Sequence, residues 1–187
     1  MGRISLGLSA LFLIALSGCI PSLHPLYLPE NLTAVKAIEG KWVTDGTQET
    51  TETWEFLQRD SLGYTLNYSE NDQSGRFDAR PLMLGTYLFI DVKPNPPDSD
   101  NDVYQGLMLP LHLFGRVWIQ GDSLRIAWLD GDYVKDQVDK GDAGVTIDDM
   151  DEDQILTSST QELQAFVLRH VDDSDAFYPV RLVRAQQ

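Results

Sequence analysis

The sequence predicts a mainly β protein, an antiparallel up-and-down barrel with one or two packed helices. Three observations carry that expectation. Apolar and polar residues alternate with a period of two, as at Leu62, Tyr64, Leu66 and Tyr68 against Gly63, Thr65 and Asn67, which is the signature of a half-buried strand. The first five such runs recur at roughly ten-residue spacing, the spacing of strands joined by tight turns. Turn-forming residues separate them, among them Asp45-Gly46, Arg59-Asp60-Ser61, Leu84-Gly85 and Gln120-Gly121-Asp122-Ser123. Parallel strands need long crossovers, which this spacing excludes. A meander of this length closes on itself and removes its own edges.

Taken in order, strands are expected near 40–45, 51–58, 62–69, 75–82, 86–93, 107–119, 123–129 and 180–184. Trp54 and Phe56 alternate with Thr53 and Glu55; Leu88, Ile90 and Val92 alternate with Phe89 and Asp91; Leu124, Ile126 and Trp128 repeat the pattern. Asp132 is positioned to cap a short helix running to Lys140, with Gly141 as its stop. Ser159-Thr160-Gln161-Glu162 is a capping box. Behind it Leu163, Phe166, Val167, His170 and Val171 share one helical face, so a helix over 159–171 should lay that stripe on the outside of the sheet. Two stretches read as loops: Pro94 to Asp102, rich in proline and acid, and the strongly acidic Asp139 to Gln154.

The amino-terminal residues belong to a different chemistry. Arg3 is followed by the short apolar run Leu6 to Leu16 and then by Leu16-Ser17-Gly18-Cys19. The run is shorter than the roughly 20 residues of a membrane span and reads as a secretory signal with a small-residue cleavage site. Leu16-Ser17-Gly18-Cys19 resembles the lipobox of bacterial lipoproteins. The resemblance implies cleavage between Gly18 and Cys19, lipid on the Cys19 sulfur and acylation of its new amino terminus. It further implies a protein of the cell envelope, and Ile rather than Asp at position 20 favours the outer membrane where the host has two. The expected organisation is a signal peptide at 1–18, a Pro-containing tether at 19–38 and a barrel domain at 39–187. Pro21, Pro25 and Pro29 break helix in the tether, which reads as a spacer, although Leu23, Leu26, Tyr27 and Leu28 offer apolar surface for docking.

Gly40-Lys41-Trp42, at the start of the first strand, resembles the Gly-x-Trp signature that opens the barrel of lipocalins. A long meander, a helix and a short last strand are similar to that family too. The resemblance implies a barrel floor in which a late arginine, Arg181 or Arg184, packs across Trp42 as a cation–π contact. The helix and acidic stretch near 131–154 depart from the family's plain pattern.

Composition narrows the function. The 187 residues carry 14 Lys and Arg against 29 Asp and Glu, a net charge of −15. Such a surface repels phosphate backbones, which argues against nucleic-acid partners. The single cysteine excludes an internal disulfide and any multi-thiolate metal site. Gly121-Asp122-Ser123-Leu124 spells a lipase and esterase signature, but it lies between two strand-like runs, and no Asp stands three residues before His170. Asp98, Asp100 and Asp102 begin like a calcium loop, yet Val103 and Leu109 occupy the positions that need Gly and Glu. His24, His112 and His170 form no short-spaced metal pair. No catalytic residue, metal or cofactor is therefore assigned.

The expected function is that of a non-enzymatic binding or structural lipoprotein, anchored through acyl chains on Cys19. It would hold a small apolar or amphipathic ligand or meet an envelope partner. The expected pocket wall is Tyr64, Tyr68, Phe77, Phe89, His112, Phe114, Trp118 and Trp128, apolar with a polar group, as ligand sites are. A second reading is an envelope hydrolase using carboxylates or His112. A closed, side-chain-filled barrel would favour the structural role, and an open cavity with a buried His–Asp contact would favour the enzyme.

Overall fold

The computed structural model describes residues 18–46, 51–71, 73–95, 109–141, 143–150 and 153–186. Residues 1–17 of the expected signal peptide 1–18, and the Asp98, Asp100 and Asp102 cluster, lie outside these residues. Eight antiparallel strands form a closed barrel: β1 Gly40–Thr44, β2 Glu52–Asp60, β3 Gly63–Glu70, β4 Gln73–Leu84, β5 Tyr87–Pro94, β6 Leu113–Gln120, β7 Ser123–Leu129 and a last strand, Phe177–Arg184. Each of the first seven pairs with the next, and the last strand closes the ring between β7 and β1. The plan is a lipocalin-like up-and-down barrel, with an excursion of helices and a hairpin between the seventh and eighth staves.

That excursion holds α1 Gly131–Asp139, the hairpin β8 Ile147–Met150 with β9 Asp153–Leu156, and α2 Thr160–Arg169; the closing strand is thus β10. In α1 the cap is Asp130, not Asp132: the Tyr133 N–H donates to Asp130 Oδ1 at 2.9 Å. Asp130 follows β7 directly in extended backbone, so the helix starts as soon as the strand stops. In α2 the Ser159–Glu162 capping box is formed in both directions. Leu163, Phe166 and Val167 bury against Leu82, Phe89, Phe114 and Ala127 on the outer face of the sheet.

The acidic stretch expected as a loop contains β8 and the start of β9. Asp148 and Asp149 face solvent while Ile155 and Leu156 bury in the outer core, so charge density there marks a solvated face rather than an absence of strands. Two strand starts differ as well: the sixth strand begins at Leu113 rather than near 107, and the last at Phe177 rather than near 180.

Two apolar clusters result. The inner one draws residues from all eight staves, including Trp42, Phe56, Leu66, Ala79, Ile90, Val117, Ile126 and Leu182. The outer one fills the space between β4–β7, α2 and the chain from Ile20 to Leu26. Residues 20–38 therefore do not stand off as a free spacer. Ser22 exchanges both backbone hydrogen bonds with His112, Leu23 N–H and Leu156 N–H tie the segment to β9, and Leu26 is 0% exposed. The prolines leave this segment extended, and its apolar side chains cover a sheet face that would otherwise meet water.

Candidate functional site

The barrel floor forms around Trp42, which is fully buried and donates its indole N–H to the Ile38 carbonyl at 2.7 Å. A one-turn helix, Lys36–Ile38, leads into it. Arg184, opposite Trp42 in the β1–β10 register, places its guanidinium carbon 4.2 Å from the Trp42 ring centre. It also donates to the carbonyls of Glu39 (2.9 Å) and Ala37 (3.1 Å). Gly40 has φ +102°, and a Cβ there would come within 3.1 Å of the Arg184 guanidinium, so both backbone and space call for glycine. Of the two expected arginines, Arg184 meets Trp42. Arg181 pairs with Arg125 across β10 and β7, on the opposite parity to the buried Val180 and Leu182.

Above this floor the barrel is filled by side chains as far as Leu66. Towards the far end it opens into a cavity of about 70 Å³. Its wall comprises Trp54, Leu66, Tyr68, Phe77, Val92, Leu113, Trp128 and Val180, with one carboxylate, Glu52. Trp54 stacks on Trp128 at 6.0 Å between centroids and meets Tyr68 edge-on at 5.2 Å. Glu52 is only 6% exposed and accepts the Trp54 indole N–H at 2.8 Å. Burial raises the Glu52 carboxyl above its ordinary range, the Trp54 bond lowers it, and Glu70 nearby raises it further. Glu70, opposite Glu52 in the β2–β3 register, accepts the Tyr68 hydroxyl at 3.0 Å. The Tyr68 phenol is pushed up by its burial and by both carboxylates.

The eight residues expected to form one wall divide into two sets. Tyr68, Phe77 and Trp128 line the cavity, and Tyr64 lies deeper in the inner core, its hydroxyl accepting the Val35 N–H. Phe89, His112, Phe114 and Trp118 face the other way, outside the barrel. Phe89 and Phe114 pack under α2, and Trp118 lies between the Arg116 and Arg125 guanidiniums at 4.5 and 3.6 Å. The physical reason is that β5 and β6 are covered on both faces, so apolar residues occupy both parities and alternation alone does not tell inside from outside. Glu52 and Trp54 were readable: they share the inward parity of Phe56, and an acid on an inward position is itself a signal.

His112 and Asp91 form a buried contact of 2.6 Å, but not in the cavity. They lie beneath the amino-terminal segment, 7% and 1% exposed, with Asp91 also accepting the Leu26 N–H at 2.8 Å. A pair sealed in this way latches the segment to the barrel. It offers no route to a substrate, and the nearby Ser22 hydroxyl donates to the His24 carbonyl. Ser123 of the esterase-like tetrapeptide is the first residue of β7, after a tight turn at Gly121. No cluster of His, Cys, Asp and Glu among the described residues is placed to hold a metal.

Cys19 is bridged to Asp130 at the end of β7 and packs partly buried against the inner cluster, at the cavity end of the barrel. Burial, with Asp130 second, pushes its thiol up to about 11. Comparison with protein families, with curated proteins and with solved structures returns no match.

Proposed function

We propose that this protein is a membrane-anchored lipoprotein of the bacterial cell envelope whose barrel holds a small apolar or amphipathic ligand. The observation that carries the binding role is the aromatic cavity beside Trp54 and Trp128 in a barrel otherwise filled with side chains. Catalysis is the weaker reading, because the His112–Asp91 contact is sealed under the amino-terminal segment. The anchor rests on Leu16-Ser17-Gly18-Cys19, and two or more acyl chains would make attachment stable. In a host with two membranes the outer one is the expected site. The docked segment gives the anchor little slack, so a lipidated Cys19 would hold the cavity end of the barrel near the bilayer.

Titration of the purified protein with small alcohols and amines, followed by tryptophan fluorescence, tests the pocket. Binding should perturb Trp54 and Trp128, and Leu113→Phe, which fills the cavity from its half-buried edge, should abolish it. Saturable binding that survives Leu113→Phe would place the ligand elsewhere and sink this reading.

A further inference from the structure

We infer that the cavity selects an organic ammonium ion, its positive charge set against Glu52 and its alkyl groups against the aromatic wall. The inference rests on the binding role proposed above and specifies the chemistry of the ligand. Two independent features point to it. The first is the wall. Trp54, Tyr68, Phe77 and Trp128 place four aromatic rings around one small space. Ring faces attract cations, most strongly where water is excluded, and aromatic cages of this composition suit alkylated ammonium groups.

The second feature is a charge without a counterion. Glu52 is more than nine-tenths buried, and its neighbour across the strand pair is another carboxylate, Glu70. None of the ion pairs formed among the described residues reaches either of them. The connections 45–51 and 95–112, which lead into Glu52 and Leu113, contain no Lys or Arg, and the one histidine in them, His112, is turned outside the barrel against Asp91. Trp54 supplies Glu52 with one neutral hydrogen bond, which satisfies an oxygen but does not balance the charge. Burying a carboxylate is costly unless it is paired, and a bound cation supplies the missing partner. A carboxylate ligand would meet two like charges, and a purely apolar one would leave Glu52 uncompensated.

The cavity, about 70 Å³, suits a headgroup-sized ion rather than a long chain. Such an ammonium exists both free and as a lipid headgroup, and the chemistry of the site is the same for both.

The test compares choline with its uncharged carbon isostere, 3,3-dimethylbutan-1-ol, on the full mature protein by calorimetry and tryptophan fluorescence. Choline should bind about tenfold or more tightly, the scale of a desolvated cation–π and ion-pair contact. Glu52→Gln retains an acceptor for the Trp54 indole; it should cut that preference to the few-fold the aromatic rings alone supply and leave the alcohol's affinity unchanged. Equal affinity for choline and the alcohol in the wild-type protein would overturn the ammonium assignment while leaving the pocket in place, and needs no variant to fold. Failure of both to bind would overturn the pocket itself. Dihexanoylphosphatidylcholine below its micellar concentration separates the sources. Tighter binding than choline assigns the ammonium to a lipid headgroup, and equal or weaker binding assigns it to a free amine; both outcomes support ammonium selection.

Discussion

Arg184 closes the barrel floor over Trp42, 4.2 Å from the ring centre, and binds the two carbonyls of the chain that leads into β1. One side chain thereby joins the last strand, the first strand and the turn before it. Trp42→Ala empties a fully buried site and should cost about 3–5 kcal/mol. Arg184→Ala removes the cation–π contact and two charge-assisted hydrogen bonds and should cost about 1–3 kcal/mol. Arg184→Lys keeps the charge but not the forked donor, so it should recover only part of that loss. Urea denaturation of the three variants measures this. A loss below about 1 kcal/mol for Trp42→Ala would contradict a buried floor.

Asp91 holds the amino-terminal segment through Leu26 N–H and the His112 ring. Burial pushes its carboxyl above the ordinary range, while His112 and the Leu26 N–H pull it back down. Asp91→Ala strands two buried partners at once and should cost about 3 kcal/mol or more. It should also free the segment. Limited proteolysis between Leu23 and Leu28 should accelerate before the barrel unfolds, and unchanged cleavage there would show that the latch lies elsewhere.

The start of α2 predicts a dependence on acid. Ser159 donates its hydroxyl and its N–H to Glu162, holding that carboxyl below its ordinary value. A depressed carboxyl contributes stability above its unfolded value, near 4.5 here, and loses it as pH falls through the folded value. Ser159→Ala should cost about 0.5–2 kcal/mol at neutral pH. Glu162→Gln should lower Tm at pH 7 only slightly, since Glu162 is exposed, and the gap from wild type should close near pH 3. A gap that widens on acidification would reverse the assigned sign.

The strands were legible because period-two alternation and turn residues agree from Gly40 to Leu129. The α2 cap was legible for the same reason, local chemistry pointing to one answer. The orientation of β5 and β6 was not. Phe89 and Phe114 look like wall residues because they are apolar, yet α2 and Leu26 cover that face from outside. Only tertiary cover distinguishes their two faces. The docking of residues 20–28 was obscured by their prolines, since an extended segment lacks a period of its own and takes its hydrogen bonds from His112 and Leu156. Arg184 was one of two candidates until the register placed it opposite Trp42.

Cys19 carries the prediction on which cellular location depends. The domain is acidic, with a net charge of −15 for the whole chain, so electrostatics repels it from anionic lipid rather than recruiting it. The proposed attachment therefore rests on acyl chains, each buried methylene contributing about 0.8 kcal/mol. Cys19→Ala should abolish lipidation and lipoprotein-type cleavage and leave the barrel stable, because Ile20, Ser22 and Leu26 keep their places against the sheet. Deleting residues 20–28 is the contrasting change: it uncovers the outer faces of β5 and β6 and should destabilise the domain itself. Mass spectrometry of the wild-type amino terminus and membrane fractionation of wild type and Cys19→Ala test the anchor. An unmodified Cys19, or a wild-type protein confined to the soluble fraction, would remove the lipoprotein assignment. The cavity and the ammonium selectivity proposed for it would still stand, because they rest on Glu52 and the rings of Trp54, Tyr68, Phe77 and Trp128.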